Sequence, residues 1–106
     1  MNIDQHIRFE NITVNLIELQ VRVGNTPIHF TLSELRVLLI LLAEPTEIIS
    51  FHELIRRADL TSMEQLQVLI ARLRTLLDRR YIFTVRGSGY SFTAPVEIKT
   101  RGGLIT

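Results

Sequence analysis

Residues 81–92 read YIFTVRGSGYSF. Two β-prone runs, Tyr81 to Val85 and Tyr90 to Thr93, flank the tight turn Gly87-Ser88-Gly89, and together they predict a β-hairpin. The segment just before it, from about Ser62 to Arg79, carries Leu66, Ile70, Leu73 and Leu77 at helical spacing. A long helix running straight into a hairpin is the element order on which the rest of the fold turns.

Upstream of that pair, two more helices are predicted, and each helix opens with a capping signal. Thr31 with Glu34, Ser50 with Glu53, and Thr61 with Glu64 all have capping-box spacing, and Ser62 with Gln65 is a competing register for the third. Helix one is predicted over about Leu32 to Ala43, apolar on most sides and stopped by Pro45. Helix two runs from about Phe51 to Ala58, with Ile48 and Ile49 in a short extended segment before it. The first thirty residues read as three or four short antiparallel strands: Ile12, Val14 and Leu16 alternate with polar neighbours, as do Leu19, Val21 and Val23, and Pro27 to Phe30 starts a return strand after Gly24-Asn25. The resulting class is α+β: a winged helix-turn-helix with an N-terminal antiparallel sheet, three helices and a C-terminal hairpin wing. Residues 1–93 are expected to form that domain. Residues 94–106 are read as a loose tail, with docking of Val96 to Lys99 as an edge strand as the alternative.

The 106 residues suffice for one core, and an apolar fraction of 46% with a mean hydropathy of +0.22 places the chain among globular proteins. No cysteine is present, which excludes disulfides, thiol catalysis and cysteine-based metal sites. The N-terminus shows no basic segment followed by an apolar stretch, and the longest apolar run, Val37 to Ala43, is too short to span a bilayer. The net charge is +1, unevenly spread: residues 1–60 hold five bases against eight acids, a net −3, and residues 61–106 hold seven against three, a net +4. A basic C-terminal half suits a polyanionic partner.

On a helical wheel, helix three has a core stripe of Leu66, Ile70, Leu73 and Leu77. Roughly 120° away runs a second stripe of Gln65, Val68, Arg72, Thr75 and Arg79, with Arg74 on its flank. Arginine reads guanine, glutamine reads adenine and a small apolar group meets a thymine methyl, so Gln65, Val68, Arg72 and Thr75 are the candidate base contacts. Arg74, Arg79 and Arg80 are placed to reach phosphates, and Arg86 stands beside the glycine turn of the wing. Amphipathic helices in general carry a polar outer face, so the reading draws weight from the adjoining basic hairpin.

At this point the sequence resembles the effector domains of OmpR/PhoB-type response regulators. Ile82, Thr84, Val85, Arg86, Gly87, Gly89 and Tyr90 match that family's wing signature, FTLSELRVLLILLAEPTEIISFHEL resembles its first two helices, and QLQVLIARLRTLL resembles its recognition helix. The resemblance covers residues 6–93 and implies bacterial, cytoplasmic, nucleoid-associated transcription regulation through double-stranded DNA. It implies that Val68 and Arg72 face bases, that Arg74 touches phosphate, and that Thr84 and Arg86 are wing contacts. Five departures stand out. Leu69 replaces a frequent phosphate-facing histidine, and Ala71 replaces a frequent basic residue. Glu64 puts a negative charge at the start of helix three. The link between helices two and three is only about Asp59 to Thr61, where the family's longer loop contacts RNA polymerase or a regulator protein. No receiver domain precedes the effector-like region, so either the domain is excised or another input regulates it.

The expected function is therefore sequence-specific binding of double-stranded DNA, and the small number of arginines implies a homodimer on repeated half-sites. The alternative is a winged-helix protein-interaction module, an anti-activator or assembly factor, because Val68, Leu69 and Ala71 make helix three less basic. An enzyme is not expected. His6, His29 and His52 show no metal spacing, Ser88 is in no nucleophile elbow, and the glycine turn opens no helix that would cradle a phosphate. Accordingly no cofactor, metal, small-molecule substrate or membrane partner is expected, and the single Arg101-Gly102-Gly103 does not indicate RNA binding.

Overall fold

The computed structural model describes residues 6–100 and 103–104. Contacts divide the chain into two compact units, residues 1–30 with 95–106, and residues 31–94.

The first unit is a sheet. Strands β1 (His6–Phe9), β2 (Ile12–Asn15), β3 (Gln20–Val23) and β4 (Thr26–Ile28) pair antiparallel in sequence order. Ile7, Phe9, Ile12, Val14 and Val21 are buried while intervening residues are not, which is the period-two pattern of a half-buried sheet. Leu16 and Leu19 fall outside the strands, contrary to the alternation that placed them inside. The Asn15 side-chain oxygen accepts from the backbone N–H groups of Ile17 and Glu18, both at 2.9 Å, and this turn ends β2. Leu19 follows at φ +55°. The sheet does not stop at four strands. β8 (Glu97–Thr100) pairs antiparallel with β1, and β9 (Gly103–Leu104) pairs with β8. For residues 97–100 this corresponds to the strand alternative to a loose tail, although β9 and not β8 forms the sheet edge. Residues 1–5, 101–102 and 105–106, which fall within the expected domain and tail, lie outside the described residues.

The second unit holds α1 (Leu32–Ala43), α2 (Phe51–Arg57), α3 (Met63–Leu76) and a three-stranded sheet in the order β5 (Ile48–Ser50), β7 (Gly89–Phe92), β6 (Ile82–Val85). Leu38, Leu41, Leu42, Leu54, Leu66, Ile70, Leu73, Ile82 and Phe92 form its core, each almost fully buried. Leu69 is also buried, so the residue that replaces the family's frequent phosphate-facing histidine turns to the core. At α1 both bonds of the capping box form: the Glu34 amide donates to Thr31 Oγ1 at 3.2 Å, and the Thr31 amide donates to Glu34 Oε1 at 2.8 Å. Ser50 caps α2 through the Glu53 amide at 3.1 Å. At α3 the cap is Ser62, which accepts from the Gln65 amide at 3.1 Å, so the register is Ser62 with Gln65 and not Thr61 with Glu64.

The turn between α2 and α3 is a Schellman motif. Asp59 sits at φ +58°, its amide donates to the Arg56 carbonyl at 3.3 Å, and the Leu60 amide reaches the Ile55 carbonyl at 2.8 Å. Leu60 is buried, as the motif's apolar position requires. At its other end α3 stops at Leu76, three residues short of the predicted Arg79. Asp78 accounts for the difference: it is extended, and its carboxylate accepts from the Arg80 amide at 3.0 Å, starting a separate 3-10 turn over Arg79–Tyr81.

Gly89 makes the three-stranded sheet possible. It lies opposite Ser50, and any Cβ there would overlap the Ile49 carbonyl. Gly89→Ala is therefore expected to lower unfolding stability by about 1–3 kcal/mol or more, read as a lower urea midpoint. Thr46 presents the opposite case. It leaves α1 at φ +70°, unfavourable for a β-branched residue, while its amide donates to the Phe92 carbonyl at 2.8 Å. Thr46→Gly removes that strain and keeps the amide, so a net gain of up to about 1 kcal/mol is expected. An unchanged or lower urea midpoint would contradict it.

Candidate nucleic-acid interface

The candidate surface is built on α3 and the β6–β7 hairpin, all within residues 31–94. Burying Leu66, Leu69, Ile70 and Leu73 turns the opposite side of α3 outward, and Gln67, Val68, Ala71, Arg72 and Thr75 are exposed there. Val68 is 68% exposed, high for an aliphatic side chain. Val68, Arg72 and Thr75, at i, i+4 and i+7, share one face as the wheel predicted. The Thr75 hydroxyl donates to the Ala71 carbonyl at 3.0 Å, which leaves its oxygen available as an acceptor.

Two of the predicted positions are differently disposed. Gln65 is half-buried, and its side-chain oxygen accepts from the Thr61 amide at 2.8 Å and the Thr61 hydroxyl at 3.0 Å, so it closes the start of α3. Arg79 lies beyond the helix in the 3-10 turn, off the α3 stripe.

Arg74 is the tie between helix and wing. Its Nε and Nη2 donate to the Ile82 carbonyl at 3.2 and 2.7 Å, and Nη2 also donates to Thr84 Oγ1 at 2.8 Å. The guanidinium lies 5.8 Å from the centre of the Tyr90 ring. Two predicted site residues, Arg74 and Thr84, are thus directly bonded. Arg74, Arg79, Ile82, Phe83 and Thr84 line one open groove of about 370 Å³, and Ala71, Arg74, Thr75, Asp78 and Arg79 line another of about 370 Å³. Arg80 is held near Asp78, at 3.5 Å, with its guanidinium 5.4 Å from the Tyr81 ring centre.

At the wing tip the Ser88 amide donates to the Val85 carbonyl at 2.9 Å, closing a turn in which Gly87 takes φ +73°. This holds Arg86 exposed at the end of the hairpin. The hairpin is anchored on its far side too: the Phe51 amide, at the start of α2, donates to the Ser88 carbonyl at 3.2 Å, and the Phe51 and Tyr90 rings meet edge to face at 5.3 Å.

Among the described residues of this unit several acids are paired with arginines, while Glu64 in the first turn of α3 is exposed. Arg57 meets Glu44 at 3.1 Å and Arg56 meets Glu53 at 2.8 Å. The hydrogen bond from Arg56 holds the Glu53 carboxyl below its usual range, opposed by desolvation and helped by the charges of Arg56, Arg57 and His52. Arg72 donates from Nε to Glu34 Oε2 at 3.2 Å. The sequence offered Glu34 only as a cap, and no local spacing signals a partner 38 positions away. Among the described residues, no cluster of three or more metal-ligating side chains occurs and no helix is long and apolar enough to cross a membrane.

Comparison with known proteins places this geometry. The family model described as transcriptional regulatory protein, C terminal, matches residues 25–92. Comparison with curated protein sequences gives no match. Among solved structures, the Klebsiella pneumoniae RstA DNA-binding domain, crystallised in complex with the RstA box, is 25% identical with a TM-score of 0.75, over 83% of this chain and 96% of that one. Thermotoga maritima DrrB, an OmpR/PhoB homologue, is 24% identical with a TM-score of 0.76, over 83% of this chain and 44% of that one. The DNA-binding domain of E. coli CadC shares the fold at 20% identity and a TM-score of 0.77, over 90% of this chain and 97% of that one. The helices, the hairpin and the family match agree, and the chain belongs to the OmpR/PhoB-type family of C-terminal DNA-binding domains of transcriptional regulatory proteins, which is not a class of enzymes.

Proposed function

We propose that this chain binds double-stranded DNA sequence-specifically, with α3 in the major groove and the β6–β7 wing on an adjacent groove. The observation that carries the reading is the exposed Val68, Arg72 and Thr75 face of α3, joined through Arg74 to a hairpin with Arg86 at its tip. Val68 meets a thymine methyl, Arg72 reads guanine, and Thr75 offers an oxygen to a base edge. Gln65, whose side-chain oxygen is held by Thr61, joins them through its Nε2 donors. Arg79, Arg80, Thr84 and Arg86 hold the backbone, and Arg74 reaches a phosphate while serving as a strut.

Few cations are available, so one copy binds modestly, and a homodimer on repeated half-sites supplies the remaining affinity. The short Asp59 to Thr61 turn leaves little surface there for RNA polymerase or a regulator protein. The domain is assigned to the cytoplasm, on the nucleoid, with residues 1–93 as the DNA-binding domain and no cofactor or small-molecule substrate.

A second reading has one observation in its favour. Val68 at 68% and Phe83 at 60% exposure put apolar surface on both the helix and the wing, as a protein-interaction module would. Fluorescence anisotropy against random-sequence duplex at several salt concentrations separates the two. Binding that weakens steeply with salt is expected. Folded protein that fails to bind even at low salt would favour the protein-partner reading.

Two variants test the residue assignments. Arg72→Ala is expected to cost about 1–3 kcal/mol on the preferred sequence and to relax the choice of base at one position. Arg86→Ala is expected to weaken all sequences alike and to lower the salt slope by about one. Equal loss on every sequence for both variants would refute the division into reading and gripping residues. Arg74→Ala is expected to weaken all DNA similarly, lower the salt slope by about one and also lower the melting temperature, since the Ile82 carbonyl and Thr84 lose their donor. DNA binding lost at an unchanged melting temperature would contradict the strut.

A further inference from the structure

We propose that Glu34 is a positioning residue for DNA reading: it fixes the Arg72 side chain through Nε and leaves the two Nη groups to meet a base. The inference rests on the assignment of Arg72 to a base contact and adds the device that aims it.

Glu34 does more than a cap requires. A capping box needs one side-chain acceptor, which glutamine supplies as well as glutamate. Here the side chain is only 7% exposed, and burying a carboxylate is costly unless both oxygens are satisfied. Oε1 accepts from the Thr31 amide at 2.8 Å and Oε2 accepts from Arg72 Nε at 3.2 Å. The first bond holds the carboxylate rigidly at the start of α1, and the second transfers that rigidity to the exposed face of α3. Arg72 remains 53% exposed, and among the described residues its Nη groups have no hydrogen-bond partner. With Nε engaged inward, the guanidinium presents its Nη1 and Nη2 edge outward. Two parallel donors match the O6 and N7 acceptors of guanine. An arginine on a flexible stem would have to be ordered on binding, whereas this one is held beforehand. The carboxylate also offsets the arginine's charge, so the pair favours correct hydrogen bonding over general attraction to phosphate.

The test uses the duplex enriched from a random-sequence library by the unmutated protein, together with an unselected duplex. Anisotropy gives the ratio of the two affinities for the unmutated protein, Glu34→Gln, Arg72→Ala and the double variant, with thermal melts alongside. Glutamine keeps an acceptor for Thr31 and loses the charge that holds Arg72. The ratio is expected to fall about tenfold in Glu34→Gln, with affinity for unselected DNA retained or raised, and to fall no further when Glu34→Gln is added to Arg72→Ala. If Arg72→Ala lowers the ratio and Glu34→Gln does not, the positioning role is overturned while base reading stands. If no sequence is enriched, or Arg72→Ala leaves the ratio unchanged, base reading itself fails and the inference with it. A Glu34→Gln loss of the same size in the Arg72→Ala background would show a merely structural role. Should Glu34→Gln not fold, the NMR signal of the Arg72 Nε–H, assigned by its absence in Arg72→Ala, answers instead. Slow exchange with solvent in the free protein supports the device, and exchange as fast as that of a free arginine overturns it.

Discussion

The close approach of Gly89 to Ile49 and Ser50 is the constraint on which the helical unit depends. Because no side chain intervenes, the short strand between α1 and α2 pairs with the second strand of the hairpin. Ser50 can then serve two elements, as the last residue of that strand and as the cap of α2. The Phe51 amide completes the junction on the Ser88 carbonyl, and the Thr46 amide reaches Phe92 from the other end of the strand. A wing that would otherwise be an isolated hairpin, marginal by itself, becomes part of a three-stranded sheet with β7 at its centre.

On that frame, arginines of one helix do different work. Arg74 turns inward, to a backbone carbonyl, a threonine and an aromatic ring, and ties α3 to the wing. Arg72, two residues earlier and exposed, is held by a buried acid. A guanidinium has five donors in a rigid plane, so it can give some to the protein and keep others for a ligand. Among the described residues of this unit, Arg56, Arg57, Arg72 and Arg80 each meet an acid, while Arg74, Arg79 and Arg86 stand at the end of α3 and along the wing and Arg36 is exposed on α1. That distribution suits recognition by geometry more than by bulk charge.

Apolar surface and charge are interleaved on this face. Val68 lies one turn before Arg72 on α3, and exposed Phe83 lies beside Arg74 and Arg79 at the groove between helix end and wing. Thymine methyl groups and sugar edges offer apolar contacts next to phosphates, so such a mixture belongs to a nucleic-acid surface as readily as to a protein one.

Local rules determined much of this protein from the sequence alone. The caps at Thr31 and Ser50, the extent of α1, the hairpin about Gly87 and the outward face of α3 all follow from spacing within one turn of helix or one strand. The family resemblance in the wing was legible for the same reason, since a positive φ and a missing Cβ leave their mark as glycine. The tertiary structure decided what depends on residues far apart. It paired β8 with β1, joined β5 to the hairpin, set Arg74 on Ile82 and Thr84, and brought Glu34 to Arg72. The choice of Ser62 over Thr61 and the end of α3 at Leu76 rest on short-range bonds, Ser62 to the Gln65 amide and Asp78 to the Arg80 amide, which spacing alone did not single out. Periodicity reports which way a side chain faces. It carries no information on which distant partner will be waiting there, because that depends on how whole elements pack.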